Sequence, residues 1–170
     1  MIRHATLNDL VQIMDITQDA VIFLRDHQIP QWQNHYPNAT TFKKDIENNT
    51  LYVYEVDGLI CGMANIALEA DPQYNVIFDG AWLTNGPYAV VHRIAVRGSC
   101  IGKGIAKELL TYAEGVARHH KLVSIRIDTH RMNIPMNRLL TRMGYQWCGV
   151  IELSDHNQTD YYRLAYEKKI

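Results

Sequence analysis

The sequence predicts an α/β (α+β) fold, a mixed sheet with helices on both faces. Three observations predict it: four stretches with apolar residues at helical spacing, apolar and β-branched runs of strand length between them, and two consecutive strand–helix units at the centre of the chain. The 170 residues are enough for one domain, residues 1–170, with a sizeable core.

The first element is a short strand over residues 2–5. Thr6 then offers an N-cap, and Leu10, Ile13, Met14, Thr17, Ala20, Val21 and Leu24 share one face of a helix that ends near His27, ahead of Pro30. Gln31-Trp32-Gln33-Asn34-His35-Tyr36-Pro37 reads as a polar, aromatic loop. Thr40 or Thr41 caps a short second helix running to about Asn48. Leu51–Val56 and residues 59–68 form a hairpin across the tight Asp57-Gly58 turn. Residues 69–87 read as a loop or a short strand pair around Trp82. Tyr88–Val96 is apolar and β-branched, a central strand, and residues 97–103 form a glycine-bearing loop. Ile105, Leu109, Leu110, Ala113, Val116 and Ala117 mark an amphipathic helix, and residues 122–129 another strand. Pro135 fits the first turn of a last helix, with Met136, Leu139, Leu140 and Met143 inward and Gly144 as its stop. Residues 145–153 and 159–166 close the chain as a hairpin across Ser154-Asp155-His156-Asn157.

Composition narrows the function classes. A net charge of −1 with both signs interspersed gives no basic surface for nucleic acid. No apolar run approaches the roughly 20 residues that span a bilayer, so no membrane partner is expected. The start, Met1-Ile2-Arg3-His4-Ala5-Thr6, lacks the apolar run of a signal peptide. Cys61, Cys100 and Cys148 are odd in number, and none forms a C-x-x-C pair, which predicts free thiols in a reducing cytoplasm and no metal site.

The chemistry is concentrated in Val90-Val91-His92-Arg93-Ile94-Ala95-Val96, a loop, and Gly102-Lys103-Gly104-Ile105-Ala106-Lys107-Glu108-Leu109-Leu110. A strand feeds a glycine loop that opens a helix. The first N–H groups of a helix lack intrahelical partners and sit at the positive end of its dipole. Glycines let an anion approach them, so the segment reads either as a phosphate cradle or as an ordinary strand–turn–helix connection. A dinucleotide fingerprint would need a third glycine where Lys107 stands. Gly98-Ser99-Cys100-Ile101-Gly102-Lys103-Gly104 is one residue short of a P-loop, and Gly104 replaces the magnesium-binding Ser/Thr, which disfavours ATP and GTP.

The strand His92-Arg93-Ile94-Ala95-Val96 followed by Gly102-Lys103-Gly104-Ile105-Ala106 and Leu109-Leu110 resembles motif A of the GNAT acetyltransferases. Asp128-Thr129-His130-Arg131-Met132-Asn133-Ile134-Pro135-Met136, through Met143-Gly144-Tyr145, resembles motif B. The Gln31-Trp32-Gln33 to Tyr36-Pro37 loop is similar to that of small bacterial members, so the resemblance covers essentially the whole chain. It implies a mostly antiparallel twisted sheet whose two central parallel strands splay apart at one end. It implies acetyl-CoA as cosubstrate, its pyrophosphate on the amides of Gly102, Lys103, Gly104, Ile105 and Ala106. It further implies that the pantetheine arm pairs like an added strand with the backbone of Ile94, Ala95 and Val96, with Asn133 beside it.

Two positions depart from the family pattern. Ile101 stands at the usual Gln/Arg, where Lys103 is the expected substitute charge, and Leu140 stands at the tyrosine that protonates the departing thiolate. The second departure leaves the general acid unassigned. It also keeps open a different reading, an acyl-CoA-binding sensor module without turnover.

For an enzyme, the acceptor is a primary amine, small-molecule or peptide, attacking directly in a ternary complex. A lysine-like ammonium with a pKa of about 10.4 must lose a proton first, so a base is needed. His92 and His130 are the candidates, with His130 favoured because it ends a strand and Asp128, two residues earlier, could raise its basicity. A backbone N–H of the Tyr88–Val96 strand would stabilise the oxyanion. Trp32, Tyr36, Tyr88 and Asp128 are the expected acceptor-pocket residues, with Trp82 a further possible wall and Tyr145 a secondary acid candidate beside Tyr88. The protein is expected to act as a monomer or homodimer.

Overall fold

The computed structural model describes residues 1–154 and 160–170. Its elements are β1 (Ile2–His4), α1 (Leu10–Asp26), α2 (Ala39–Glu47), β2 (Leu51–Val56), β3 (Leu59–Ala67), β4 (Tyr88–Val96), α3 (Ile105–His119), β5 (Ser124–Thr129), α4 (Ile134–Arg142), β6 (Gln146–Glu152) and β7 (Tyr162–Lys169). Seven strands form one sheet in the order β1-β2-β3-β4-β5-β7-β6. β4 and β5 are parallel, and every other neighbouring pair is antiparallel. The mixed, mostly antiparallel sheet is the architecture expected.

Two irregularities make the site. The β4–β5 ladder runs from Tyr88 and Ser124 only as far as Val90 and Arg126, although the strands continue to Val96 and Thr129. On its other side β4 slips register against β3 between Met63 and Asn65, where Arg93 has a φ of 50°. Such a bulge bends the strand and re-aims its backbone. β4 therefore leaves β5 and opens a gap in the middle of the sheet.

α3 covers one face. Ile105, Leu109, Leu110, Ala113 and Ala117 pack with Ala64, Ala89, Ile125 and Ile127. Gly62 is required there, because a Cβ would lie 2.7 Å from Ile105 Cγ2. α1 and α2 cover the other face, with Ile13, Ile16 and Phe42 against Val53, Ile60 and Met63.

Several boundaries differ from expectation for identifiable reasons. Thr6 opens a 3₁₀ turn over Leu7–Asp9 before α1, because its N–H and hydroxyl both donate to Asp9 Oδ2, at 2.8 and 2.9 Å. The cap of α2 is Asn38 rather than Thr40 or Thr41: its side chain accepts from the Thr41 N–H at 3.1 Å. Of the two forms expected around Trp82 the loop is the one adopted, with a 3₁₀ turn over Pro72–Tyr74 and one bridge from Phe78 to Val150. The carboxylate of Glu167 holds this stretch, accepting from Thr84 and Ser124 hydroxyls and from Arg126. β7 runs on to Lys169, three residues past the expected end at Tyr166, because its partners in β5 continue to Ser124. The expected turn at Asp155, His156 and Asn157, and the strand start at Thr159, lie outside the described residues.

Candidate active site

A cleft of about 680 Å³ opens where β4 and β5 part. Its walls combine residues 91–96 of β4, residues 127–129 of β5, the glycine loop, α1 and the start of α4.

At one end lies the glycine loop. A 3₁₀ turn over Gly98–Cys100 leaves β4, and its Gly98 N–H donates to Asp19 Oδ2 of α1 at 2.7 Å. Gly102 and Gly104 have φ values of 82° and 80°, a region that favours glycine, and nothing lies within 4 Å of where a Cβ would stand on either. Gly104 caps α3, so the free amides of the helix start beside this open space. The loop thus has the form a pyrophosphate needs: bare backbone, positive dipole end and room. Gly102, Gly104, Ile105 and Ala106 line the cleft, as do Ile94, Ala95 and Val96. Lys103 does not; the nearby lysine on the cleft is Lys107, in the first turn of α3. Asn133 also lines it, while capping α4 through the Met136 N–H at 3.3 Å and reaching Gln31 Oε1 at 3.4 Å.

The other end is acidic and aromatic. His92 Nε2 lies 3.0 Å from Asp71 Oδ2, and Nδ1 lies 3.9 Å from Asp128 Oδ1. Tyr74 donates its phenolic proton to Asp128 Oδ1 at 2.6 Å. Burial, then the Asp128 charge, push the Tyr74 pKa far up, so the phenol stays a donor. Burial pushes the Asp71 carboxyl up, but hydrogen bonds from His92 and the Gln73 amide outweigh it and hold it below the usual carboxylate range. Arg93, turned by the bulge, donates to both oxygens of Asp45 on α2 at 2.8 Å and to the Tyr36 hydroxyl at 2.9 Å. That clamp fixes the loop bearing Trp32 and Tyr36, which both face the cleft.

Four further expected residues, His130, Tyr88, Trp82 and Tyr145, lie off the cleft. His130 is fully buried, off the cleft; its Nε2 pairs with Asp160 at 2.9 Å and its Nδ1 accepts from the Met132 N–H at 3.1 Å. Burial, helped by the Arg163 and Arg131 charges, pushes its pKa down against the raising effect of Asp160. Asp128 serves Tyr74 and faces His92, not His130. Tyr88 is buried beneath the Arg126 guanidinium, 3.8 Å from its ring centroid, and lines no part of the cleft. Trp82 likewise packs on Arg126. Leu140 is fully buried in the core, and Tyr145 lies there with it.

Asp71, Tyr74 and Arg163 are site residues that sequence reading missed. Arg163 lines the cleft, anchored to the Asp160 and Tyr162 carbonyls at 2.7 and 2.9 Å. The Asp71-Pro72 pair signals a turn, but nothing local signals its contact with His92, 21 positions on.

The sequence matches the family model described as acetyltransferase (GNAT) family over residues 17–145. No curated protein matches it. Among solved structures, a GNAT-family acetyltransferase from Streptococcus agalactiae is 33% identical, with a TM-score of 0.87 over 100% of this chain and 95% of the other. A GNAT-family acetyltransferase from Listeria monocytogenes shares the fold at 21% identity, TM-score 0.75, over 100% and 94%. So does a PaiA N-acetyltransferase from Thermoplasma acidophilum in complex with coenzyme A, at 18% identity, TM-score 0.72, over 100% and 98%.

Proposed function

This chain belongs to the GNAT acetyltransferase family, and on that premise we propose that it moves the acetyl group of acetyl-CoA to a primary amine by direct attack in a ternary complex. One observation carries the reading: a single cleft joins the bare glycine loop to His92 and its two carboxylates. Acetyl-CoA supplies the activated acyl group. The amides from Gly102 to Ala106 hold its pyrophosphate, and the backbone of Ile94, Ala95 and Val96, set off from β5, takes the arm that carries the thioester. A β4 N–H stabilises the oxyanion.

His92, not His130, is the base in this reading, because it reaches the cleft with 22% of its side chain exposed, whereas both His130 nitrogens are engaged. Direct attack is favoured because Cys100, the cysteine on the cleft, is buried against Cys61 and is no acyl carrier. With Leu140 in the core, the thiolate leaves without a tyrosine proton; at a thiol pKa of about 8.5 it is a fair leaving group. Trp32 and Tyr36 wall the acceptor side. The three free cysteines fit a reducing cytoplasm.

The missing tyrosine favours one other reading, a sensor that binds acyl-CoA without turnover. An acetyl-CoA-dependent screen of small-molecule and peptide amines, followed by thiol release, decides between them. Turnover of an amine supports the enzyme. Saturable acetyl-CoA binding without thiol release across the panel supports the sensor, and absence of acetyl-CoA binding overturns both.

A further inference from the structure

One short turn fixes two separate groups of the cleft. Asp71 caps the 3₁₀ turn Pro72–Tyr74 by accepting from the Gln73 N–H at 2.9 Å through Oδ1, which orients the carboxylate independently of His92. Its Oδ2 is left for His92 Nε2 at 3.0 Å. Tyr74 closes the same turn and holds Asp128 by its hydroxyl at 2.6 Å.

A neutral imidazole has one N–H and one lone pair, and a carboxylate only accepts. Facing Asp71, Nε2 must carry the hydrogen, which leaves the lone pair on Nδ1. Nδ1 in turn faces Asp128 Oδ1 across 3.9 Å. Two acceptors at that distance make no hydrogen bond to each other. A group with several N–H donors between them satisfies both. The local charge agrees: Asp71 and Asp128 both line the cleft, and the field of Arg163 that reaches Asp128 is shared with Asp160. The other cleft arginine, Arg93, is neutralised by Asp45.

We propose that Asp71 is a positioning residue for His92, and that the gap between His92 Nδ1 and Asp128 Oδ1 seats the acceptor as an alkylammonium. This rests on the acyl-transfer reading of the cleft. One ammonium proton passes to Nδ1 and frees the nitrogen lone pair for attack; a remaining N–H stays on Asp128. The positive charge moves onto the imidazole, where Asp71 stabilises it through Nε2–H. Arylamines, neutral at pH 7, bring no ammonium to this seat and are poor acceptors.

Asp71→Asn separates positioning from structure, since its Oδ1 still caps the turn while its amide now faces Nε2 and drives the ring hydrogen to Nδ1. Nitrogen-15 NMR of the imidazoles, at a pH where the ring is neutral and with His92→Gln assigning the resonance, reads the tautomer directly. The wild type should show a protonated Nε2 and a bare Nδ1, and Asp71→Asn the reverse. In the same variant kcat should fall about 10²-fold or more, with acetyl-CoA affinity within about two-fold and melting temperature nearly unchanged. Asp71→Glu should recover part of the loss. A wild-type His92 carrying its hydrogen on Nδ1 overturns the proposal, as does an Asp71→Asn protein with unchanged tautomer and kcat, or equal kcat/KM for alkylamines and anilines. If no amine is acetylated at all, the acyl-transfer reading fails, and the tautomer measurement still decides the role of Asp71.

Discussion

The two ends of the cleft are built in opposite ways. The glycine loop is one contiguous segment whose work is done by backbone: positive φ at Gly102 and Gly104, and the start of α3. The acidic, aromatic end is assembled from side chains far apart in sequence, Tyr36, Asp45, Asp71, His92, Arg93 and Asp128, brought together by the sheet and by one turn. A backbone device depends little on the identity of its side chains. A side-chain device fails when one member is lost, because each partner is then buried and unpaired.

The largest effect that could break this contrast is at the base. His92→Ala should lower the acetylation rate by about 10²–10⁴ with acetyl-CoA affinity nearly intact. His130→Ala should leave the rate within several-fold and instead cost about 1–3 kcal/mol of stability, since it empties a fully buried site and removes the bonds to Asp160 and the Met132 N–H. Rate measurements at saturating acetyl-CoA, with urea unfolding alongside, check both. A rate collapse in His130→Ala with normal stability would return the base to His130.

A crossed pair of variants tests the next level. Gly104→Glu puts a side chain at a positive φ, in the open space of the cradle, and a carboxylate beside the pyrophosphate. Calorimetry should show acetyl-CoA binding weakened about 10²-fold or more. Asp45→Ala removes the partner of Arg93 and should destabilise by about 2–4 kcal/mol and raise the acceptor KM, while acetyl-CoA affinity changes less than about three-fold. If each variant moves the other's ligand equally, the two ends are one coupled unit.

The smallest effect concerns acid. Burial is the largest influence on Asp71, Asp160 and Glu167 and pushes each up, but the polar contacts together outweigh it, from His92 and the Gln73 amide at Asp71, from His130, the Tyr162 amide and Arg131 at Asp160, and from Ser124, Thr84 and Arg126 at Glu167, so each folded pKa lies below the ordinary value. Their contribution to stability is complete above the unfolded value, about 4 for carboxylates, and is lost as pH falls through the folded values. Amide exchange followed from about pH 6 to pH 3 should therefore show the turn at Asp71 and the β5–β7 pair loosening before the glycine loop, whose backbone amides do not titrate in this range.

The same contrast explains what was legible in the sequence. β2 and β4 have the bounds that hydropathy predicts, and the Asp57-Gly58 turn has two positive φ values as a tight hairpin requires. The glycine loop is legible because its form is encoded by adjacent residues. His92 and Asp128 were readable as chemistry but not as neighbours. The burial of His130 is not legible, because strand alternation gives the face of a side chain without what surrounds it. Asp71 was invisible: its partner comes from long-range packing, and its local environment marks only a turn. Glu167 and Glu114, charged residues buried in the fold, escaped for the same reason.

The parting of β4 from β5 has one further consequence. Strand edges usually lie at the rim of a sheet, where they invite aggregation and must be guarded. Here a pair of edges lies inside the molecule, between strands that could have zipped together past Val90 and Arg126. Straightening the bulge at Arg93 would allow more ladder hydrogen bonds and a tighter molecule. It would also close the cleft. Selection for stability alone would thus favour a sealed sheet without a substrate site, so the opening itself is the feature that function must preserve against folding.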